Sequence, residues 1–264
     1  MLVAPYWPLI DGIVRSFHGT PVDVPLLGTV GSAEDAVRAL EAVSTPRTVA
    51  LYLNTPNNPS GRVIPHPWLE AIVEWATERG LWIFADEVYE RYQYQGEHFS
   101  CRALAPEQTF AAYSFSKAWG MAGNRCGFMV GPEPAMAELR KIGTHTFYSA
   151  PTAAQLAGEL ALGPTGDAWV EAARQQYQSL GAQTAARLGL EPPEGGTFLF
   201  FDVAHRLDQR GLQGFLEDCV DHGLLLAPGS SFGPYPTHVR LCFTAVPPER
   251  TLRGVEILAR LLGR

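Results

Sequence analysis

Short apolar runs alternate with longer stretches of helical spacing, and few architectures accommodate that alternation. Leu2 to Ala4, Val22 to Val24, Val49 to Leu53, Leu81 to Ala85 and Phe110 to Phe115 read as strands, with a helix at Trp68 to Glu78 between two of them. Uniformly apolar strands joined by helices belong to a parallel sheet covered on both faces, so the expected fold is α/β, a three-layer α/β/α unit with a mostly parallel sheet. From Pro151 the texture changes. Helical stretches at Pro151 to Leu162 and Asp167 to Leu188 lead into a strand at Thr197 to Val203. A helix at Leu212 to His222, strands near Leu224 to Ala227 and at Val239 to Cys242, and a last helix at Pro247 to Leu262 form a smaller α+β unit. The expected division is a large unit over 1–150, connecting helices over 151–188 and a small unit over 189–264.

Several function classes drop out on charge and residue usage. A net charge of −7 with no block of Lys or Arg gives no electrostatic footprint for nucleic acid or anionic lipid. No apolar run reaches membrane-spanning length, and the N-terminus has no basic leader, which points to the cytoplasm. The 4 cysteines (Cys101, Cys126, Cys219, Cys242) form no CxxC pair, and the 7 histidines are scattered, so neither a disulfide framework nor a metal centre is expected.

Open parallel sheets bind ligands beyond the carboxyl ends of their strands, which makes the polar residues after each apolar run the ones to inspect. Three exits stand out: "NTPNNPSGRV" with Asn58, "LWIFADEVYERY" with Asp86 and Tyr89, and "AAYSFSKAWGMAGNRCGFMVG" with Ser114, Ser116, Lys117 and Arg125. Each has an ordinary reading, as turn chemistry for the asparagines and prolines, or a helix cap for Asp86. Lys117 is harder to dismiss, because lysines mostly belong on solvated surface and this one sits among small residues at a strand end. A lysine amine can form a Schiff base with an aldehyde cofactor, and pyridoxal phosphate needs such a lysine, an anion beside its ring nitrogen and donors for its phosphate. Lys117, Asp86, and Ser114 with Arg125 supply each part.

"NNPSG", "ADEVY", "SFSKAWGMAGNRCG" and "VRLCF", in that order and with Lys117 and Arg125 eight residues apart, resemble the signature of the class I and II aminotransferases, pyridoxal-phosphate enzymes of fold type I. The resemblance covers nearly the whole chain. It implies transfer of an amino group from an L-amino acid to a 2-oxo acid. By that resemblance Asn58 and Tyr89 would bond the cofactor's phenolic oxygen, Asp86 would keep the ring nitrogen protonated, and Lys117 would hold the cofactor and move the α-proton. Ser114 and Arg125 would take the phosphate, Ser116 would also bind the cofactor, Trp7 in "APYWP" would stack on the ring, and Arg240, after the loop "APGSSFG", would clamp the substrate carboxylate together with Asn58. Ser60 stands where the family has threonine. "LLGTVGSAED" mimics a glycine-rich phosphate loop, but no long apolar strand feeds it, and Ser32 with Asp35 reads as a helix cap.

The family also carries a glycine-rich turn and helix ahead of the stacking aromatic, and Trp7 stands nearly at the first residue. The resemblance therefore implies a missing N-terminal segment, hence weak cofactor binding and a tendency to associate; with the full architecture the expectation is a homodimer. Rival readings are a C–S β-lyase or another reaction on the same scaffold, an effector-binding domain of a regulator, and a truncated relative with little activity.

Overall fold

The computed structural model describes residues 1–264. The chain runs β1 (Leu2–Ala4), α1 (Leu9–Ser16), β2 (Asp23–Pro25), α2 (Ala33–Val43), β3 (Ala50–Asn54), α3 (His66–Glu78), β4 (Trp82–Asp86), β5 (Thr109–Ser114), β6 (Gly127–Val130) and α4 (Glu133–Thr146). It continues through α5 (Thr152–Ala161), α6 (Pro164–Arg187), β7 (Phe198–Asp202), α7 (Gly211–Asp221), β8 (Ala227–Pro228), β9 (His238–Cys242) and α8 (Pro248–Leu261). No helix is long and apolar enough to cross a membrane.

Six strands form one sheet in the order β2-β1-β3-β4-β5-β6, with β6 antiparallel to β5 and every other pairing parallel. Asn54 pairs with Asp86 and Asp86 with Ala112, so β3 and β4 end level with one another while β5 runs two residues further. That register gathers three strand exits at one edge of the sheet. One face is packed by α2 and α3 around Leu51, Ile72 and Ile83, none of which has any exposed surface. Ser32 caps α2, its Oγ accepting from Asp35 N at 3.1 Å, so the "LLGTVGSAED" stretch is indeed a helix start. On the other face Leu2, Ala4, Tyr6, Tyr52 and Tyr235 form a small cluster, while Trp82 and Phe84 stay 42% exposed beside the Phe110 ring.

A second sheet, β7-β9-β8, is wholly antiparallel, and α6, α7 and α8 bury its other core around Leu180, Phe201, Phe215 and Phe243. The first element of this half differs little from expectation, but Leu224 to Leu226 are not strand. Leu224 N still bonds back to Cys219 O at the end of α7, and Leu225 is 87% exposed, so only Ala227–Pro228 join the ladder. Burial is thin at α1, α4 and β6: α1 has no fully buried residue, though its apolar face sets Ile10 and Val14 against the Tyr6 cluster, α4 buries only Gly143, and β6 exposes all four of its residues.

The turn after β3 holds the two halves of the site in register. Gly61, at φ +67°, offers its carbonyl to Glu194 N (2.8 Å) and Gly195 N (3.0 Å). Glu194 in turn accepts from Val63 N at 2.7 Å and pairs with Arg62 at 3.3 Å. From the far side Tyr94 N bonds Glu194 O and Gly196 N bonds Tyr92 O. The segment leading into β7 is thus pinned between the turn after β3 and the turn after β4.

Candidate active site

Three asparagines crowd the turn after β3, and they divide the work. Asn54, 2% exposed, donates from Nδ2 to Asp86 O at 2.8 Å and accepts Asn58 N on Oδ1 at 2.7 Å, tying two strand exits together. Asn57, 1% exposed, donates to Pro5 O at 3.0 Å and accepts both Ser60 N and Ser60 Oγ on Oδ1, at 3.0 and 2.6 Å. Serine thus supplies a hydroxyl donor within the turn. Asn58 alone faces outward from this scaffold. Its Oδ1 accepts from Arg240 Nη1 at 2.9 Å, which leaves its Nδ2 donor outside any bond within the chain.

At the exit of β4 the adjacent acids face opposite ways, as successive strand residues must. Glu87 is fully enclosed and accepts from Tyr113 OH (2.7 Å), Ser100 Oγ (2.9 Å) and Cys101 N (3.0 Å), and shares a hydrogen bond with His98 Nε2 (3.1 Å). Burial pushes its carboxyl up, but these partners, His98 first, outweigh burial and hold it below the usual range. Asp86 turns the other way. Its Oδ2 accepts from Tyr52 OH at 2.6 Å, while Oδ1 has only a 3.4 Å contact with Val88 N. Burial raises its carboxyl above the ordinary range, opposed by Tyr52, the Val88 amide and Lys117.

Lys117 follows β5, exposed, with Nζ 5.6 Å from the centre of the Tyr89 ring. Tyr89 is buried, its hydroxyl pushed to high pKa mainly by that burial, and its ring meets Phe198 edge-on at 5.9 Å. Arg240 completes the row. Its guanidinium lies 4.4 Å from the Phe198 ring and 4.8 Å from the Phe232 ring, and its Nε is buried without a partner. Burial pulls Arg240 below its ordinary pKa, so an approaching anion would meet a cation that water serves poorly.

Ser114, Ser116 and Arg125 stand beside Lys117 on the β5–β6 connection. Ser114 Oγ accepts from Ser116 N at 3.1 Å, and Ser114 pairs with Gly127 across the sheet. Arg125, at φ 53°, donates one nitrogen to Ala122 O at 2.8 Å and is otherwise exposed. Trp7 is half-buried at the exit of β1 and belongs to none of the four buried clusters, so it is not a core tryptophan. The structure therefore brings Asn58, Asp86, Tyr89, Lys117 and Arg240 into one row. Tyr52, Asn54, Glu87 and Phe198 carry that row although the sequence did not single them out. A tyrosine inside the aliphatic run "ALYLN" was the one available signal.

The family model described as "Aminotransferase class I and II" matches residues 1–258. The aspartate/prephenate aminotransferase of Thermus thermophilus is 34% identical over 271 residues, covering 100% of this chain and 69% of that protein. The arginine–pyruvate transaminase of Pseudomonas aeruginosa is 32% identical over 276 residues, covering 100% of this chain and 70% of that protein. Among solved structures, the Thermus thermophilus aspartate aminotransferase with maleate superposes with a TM-score of 0.87 at 32% identity, over 98% of this chain and 69% of that one. The aromatic aminotransferase of Pyrococcus horikoshii gives 0.90 at 26% identity, over 99% of this chain and 72% of that one.

Proposed function

The chain belongs to the class I and II aminotransferases, and on that premise we propose that pyridoxal phosphate is held by Lys117 in the row just described, where an α-amino acid and a 2-oxo acid exchange an amino group. The observation that carries this reading is the convergence of three strand exits with the middle of a fourth strand: the segments after β3, β4 and β5 bring Asn58, Asp86 and Lys117, and β9 brings Arg240, to one place.

Class I and II aminotransferases are pyridoxal-phosphate enzymes, and the cofactor supplies an aldehyde that takes up the amino group and a ring that draws electrons from the α-carbon. The donor set fits such a group. It offers an amine without a partner, a carboxylate with one weakly engaged oxygen, an amide donor outside any internal bond, and two arginines not neutralised by any carboxylate. In this reading Asp86 Oδ1 would hold the ring nitrogen, and Asn58 Nδ2 and Tyr89 OH would bond the phenolic oxygen. Ser114 and Arg125 would grip the phosphate, Ser116 would join them in holding the cofactor, and Trp7 would cover the ring. Lys117 Nζ removes the proton from the substrate's α-carbon and later returns one as general acid. Arg240 binds the α-carboxylate shared by every amino and oxo acid, and Asn58 Oδ1 fixes its fork.

The relatives named for aspartate and prephenate and for arginine and pyruvate differ in side chain but share the α-amino and α-carboxylate groups, and those are what Lys117 and Arg240 address. Four unpaired cysteines suit the reducing cytoplasm, where we place the enzyme as a homodimer, with units over 1–150, 151–188 and 189–264.

One experiment separates transfer from elimination. The chain loaded with pyridoxal phosphate and given an amino acid alone should convert one cofactor per site to pyridoxamine phosphate, and a 2-oxo acid should reverse it. Release of ammonia from a cysteine conjugate without that conversion would replace the transaminase reading with the lyase. Arg240→Lys should raise KM for amino and oxo acids alike by roughly thirtyfold, about 2 kcal/mol, because a point charge cannot reproduce the planar fork. Unchanged KM for both would remove Arg240 from the substrate site.

A further inference from the structure

We propose that Tyr52 is a positioning residue for Asp86: its hydroxyl, bonded to Oδ2, fixes the plane of the carboxylate and holds it ionised, with Oδ1 presented to the cofactor's ring nitrogen. The proposal rests on the assignment of Asp86 given above. Two features of the geometry carry it. Asn54 already fixes the Asp86 backbone through the 2.8 Å bond to its carbonyl, so what remains free is rotation of the side chain, and the Tyr52 bond governs that. Tyr52 itself cannot follow Asp86 elsewhere, being 7% exposed and packed with Leu2, Ala4, Tyr6 and Tyr235. The parallel register sets Tyr52 opposite Phe84, making Asp86 its diagonal neighbour on the same face, within reach of a tyrosine.

The chemistry follows from the direction of the bond. A hydroxyl donating to a carboxylate favours the ionised form, and this one offsets the burial that favours the neutral acid. Burial and the Asp86 charge push the Tyr52 hydroxyl well above its ordinary pKa, so it remains a donor wherever the protein is folded. The other charged and titratable groups facing Asp86 are Lys117 from the loop after β5, which favours ionisation, Glu87 on the same strand end, which opposes it, and Tyr89, itself kept neutral by burial. Only Tyr52 makes a short hydrogen bond to the carboxylate. A phenylalanine would fill nearly the same volume in the aromatic cluster, and a buried hydroxyl is costly unless it is bonded, so the oxygen has its use at Asp86.

The test compares Tyr52→Phe with Tyr6→Phe, which removes a hydroxyl from the same cluster, bonded to Asp23 Oδ1 at 2.9 Å, without touching Asp86. In cofactor-free protein, the 13C shift of the Asp86 carboxyl should titrate about one pH unit higher or more in Tyr52→Phe, because the ionised form has lost its donor, and should not move in Tyr6→Phe. With ring-15N pyridoxal phosphate bound, the share of the proton that rests on the ring nitrogen should fall in Tyr52→Phe, because the more basic carboxylate takes more of it, and Kd should rise on the order of tenfold. In an Asp86→Asn background, Tyr52→Phe should add little to the loss of affinity. An unmoved Asp86 titration in Tyr52→Phe, or an equal movement in Tyr6→Phe, overturns the proposal. A wild-type chain that takes up no pyridoxal phosphate overturns the cofactor reading instead, and the cofactor-free titration then decides Tyr52 by itself.

Discussion

Lys117→Ala is expected to reduce turnover by roughly 10⁴-fold or more, because one amine performs both covalent attachment of the cofactor and proton transfer at the α-carbon. The fold should not suffer. Lys117 is exposed and joins no ion pair or hydrogen bond through Nζ, so the melting temperature of the cofactor-free variant should match that of the parent. Lys117→Arg should be nearly as inactive, since it keeps the charge but cannot give up its proton to become a nucleophile or base. Borohydride reduction of the loaded parent makes the same claim covalently, fixing the cofactor to Lys117. The sequence has one other lysine, Lys141, which pairs with Glu138 on α4. An adduct at Lys141, or full turnover by Lys117→Ala, would remove Lys117 from the chemistry.

Why Lys117 was legible and Tyr52 was not is a matter of what register adds. Asp86 directly ends an apolar run, Asn58 and Lys117 stand four and three residues past the ends of β3 and β5, and a strand's end is visible wherever such a run stops at a polar residue. The partners of those residues depend on which strand lies beside which and at what offset. Tyr52 reaches Asp86 only because Leu51 pairs with Ile83 rather than with a neighbour one residue away; a slip of one would turn Tyr52 into the α2–α3 core. Glu87 reads as a second acid of the same turn, and only the alternation of faces shows it to be an internal brace beneath Asp86. Arg240 was legible by resemblance, but its contact with Asn58 joins residues 182 positions apart. The antiparallel β6 and the helix α4 bury almost nothing, so packing constrains their residues little, whereas α1 carries an apolar stripe, with Ile10 and Val14 against the Tyr6 cluster, that eight residues are too few to make plain.

Gly61→Ala should destabilise the protein by about 3 kcal/mol or more and weaken substrate binding with it. Two costs add. At φ +67° an alanine pays roughly 1–2 kcal/mol for the left-handed backbone. Its Cβ would also stand 2.4 Å from Phe198 O, a backbone atom that cannot move unless the start of β7 moves. Phe198 is the ring on which both Tyr89 and Arg240 rest, so any retreat of β7 loosens the row that would hold cofactor and substrate carboxylate. For a chain of this size the melting temperature should fall by roughly 6–12 °C, and KM for the amino acid should rise at temperatures where the variant is still folded. Gly28→Ala isolates the first cost. Gly28 has φ +82° but nothing within 4 Å of the place its methyl group would take, so its alanine variant should lose only the backbone share and leave KM unchanged. If Gly61→Ala melts no lower than Gly28→Ala, the contact with Phe198 O is not what holds the turn after β3 against β7.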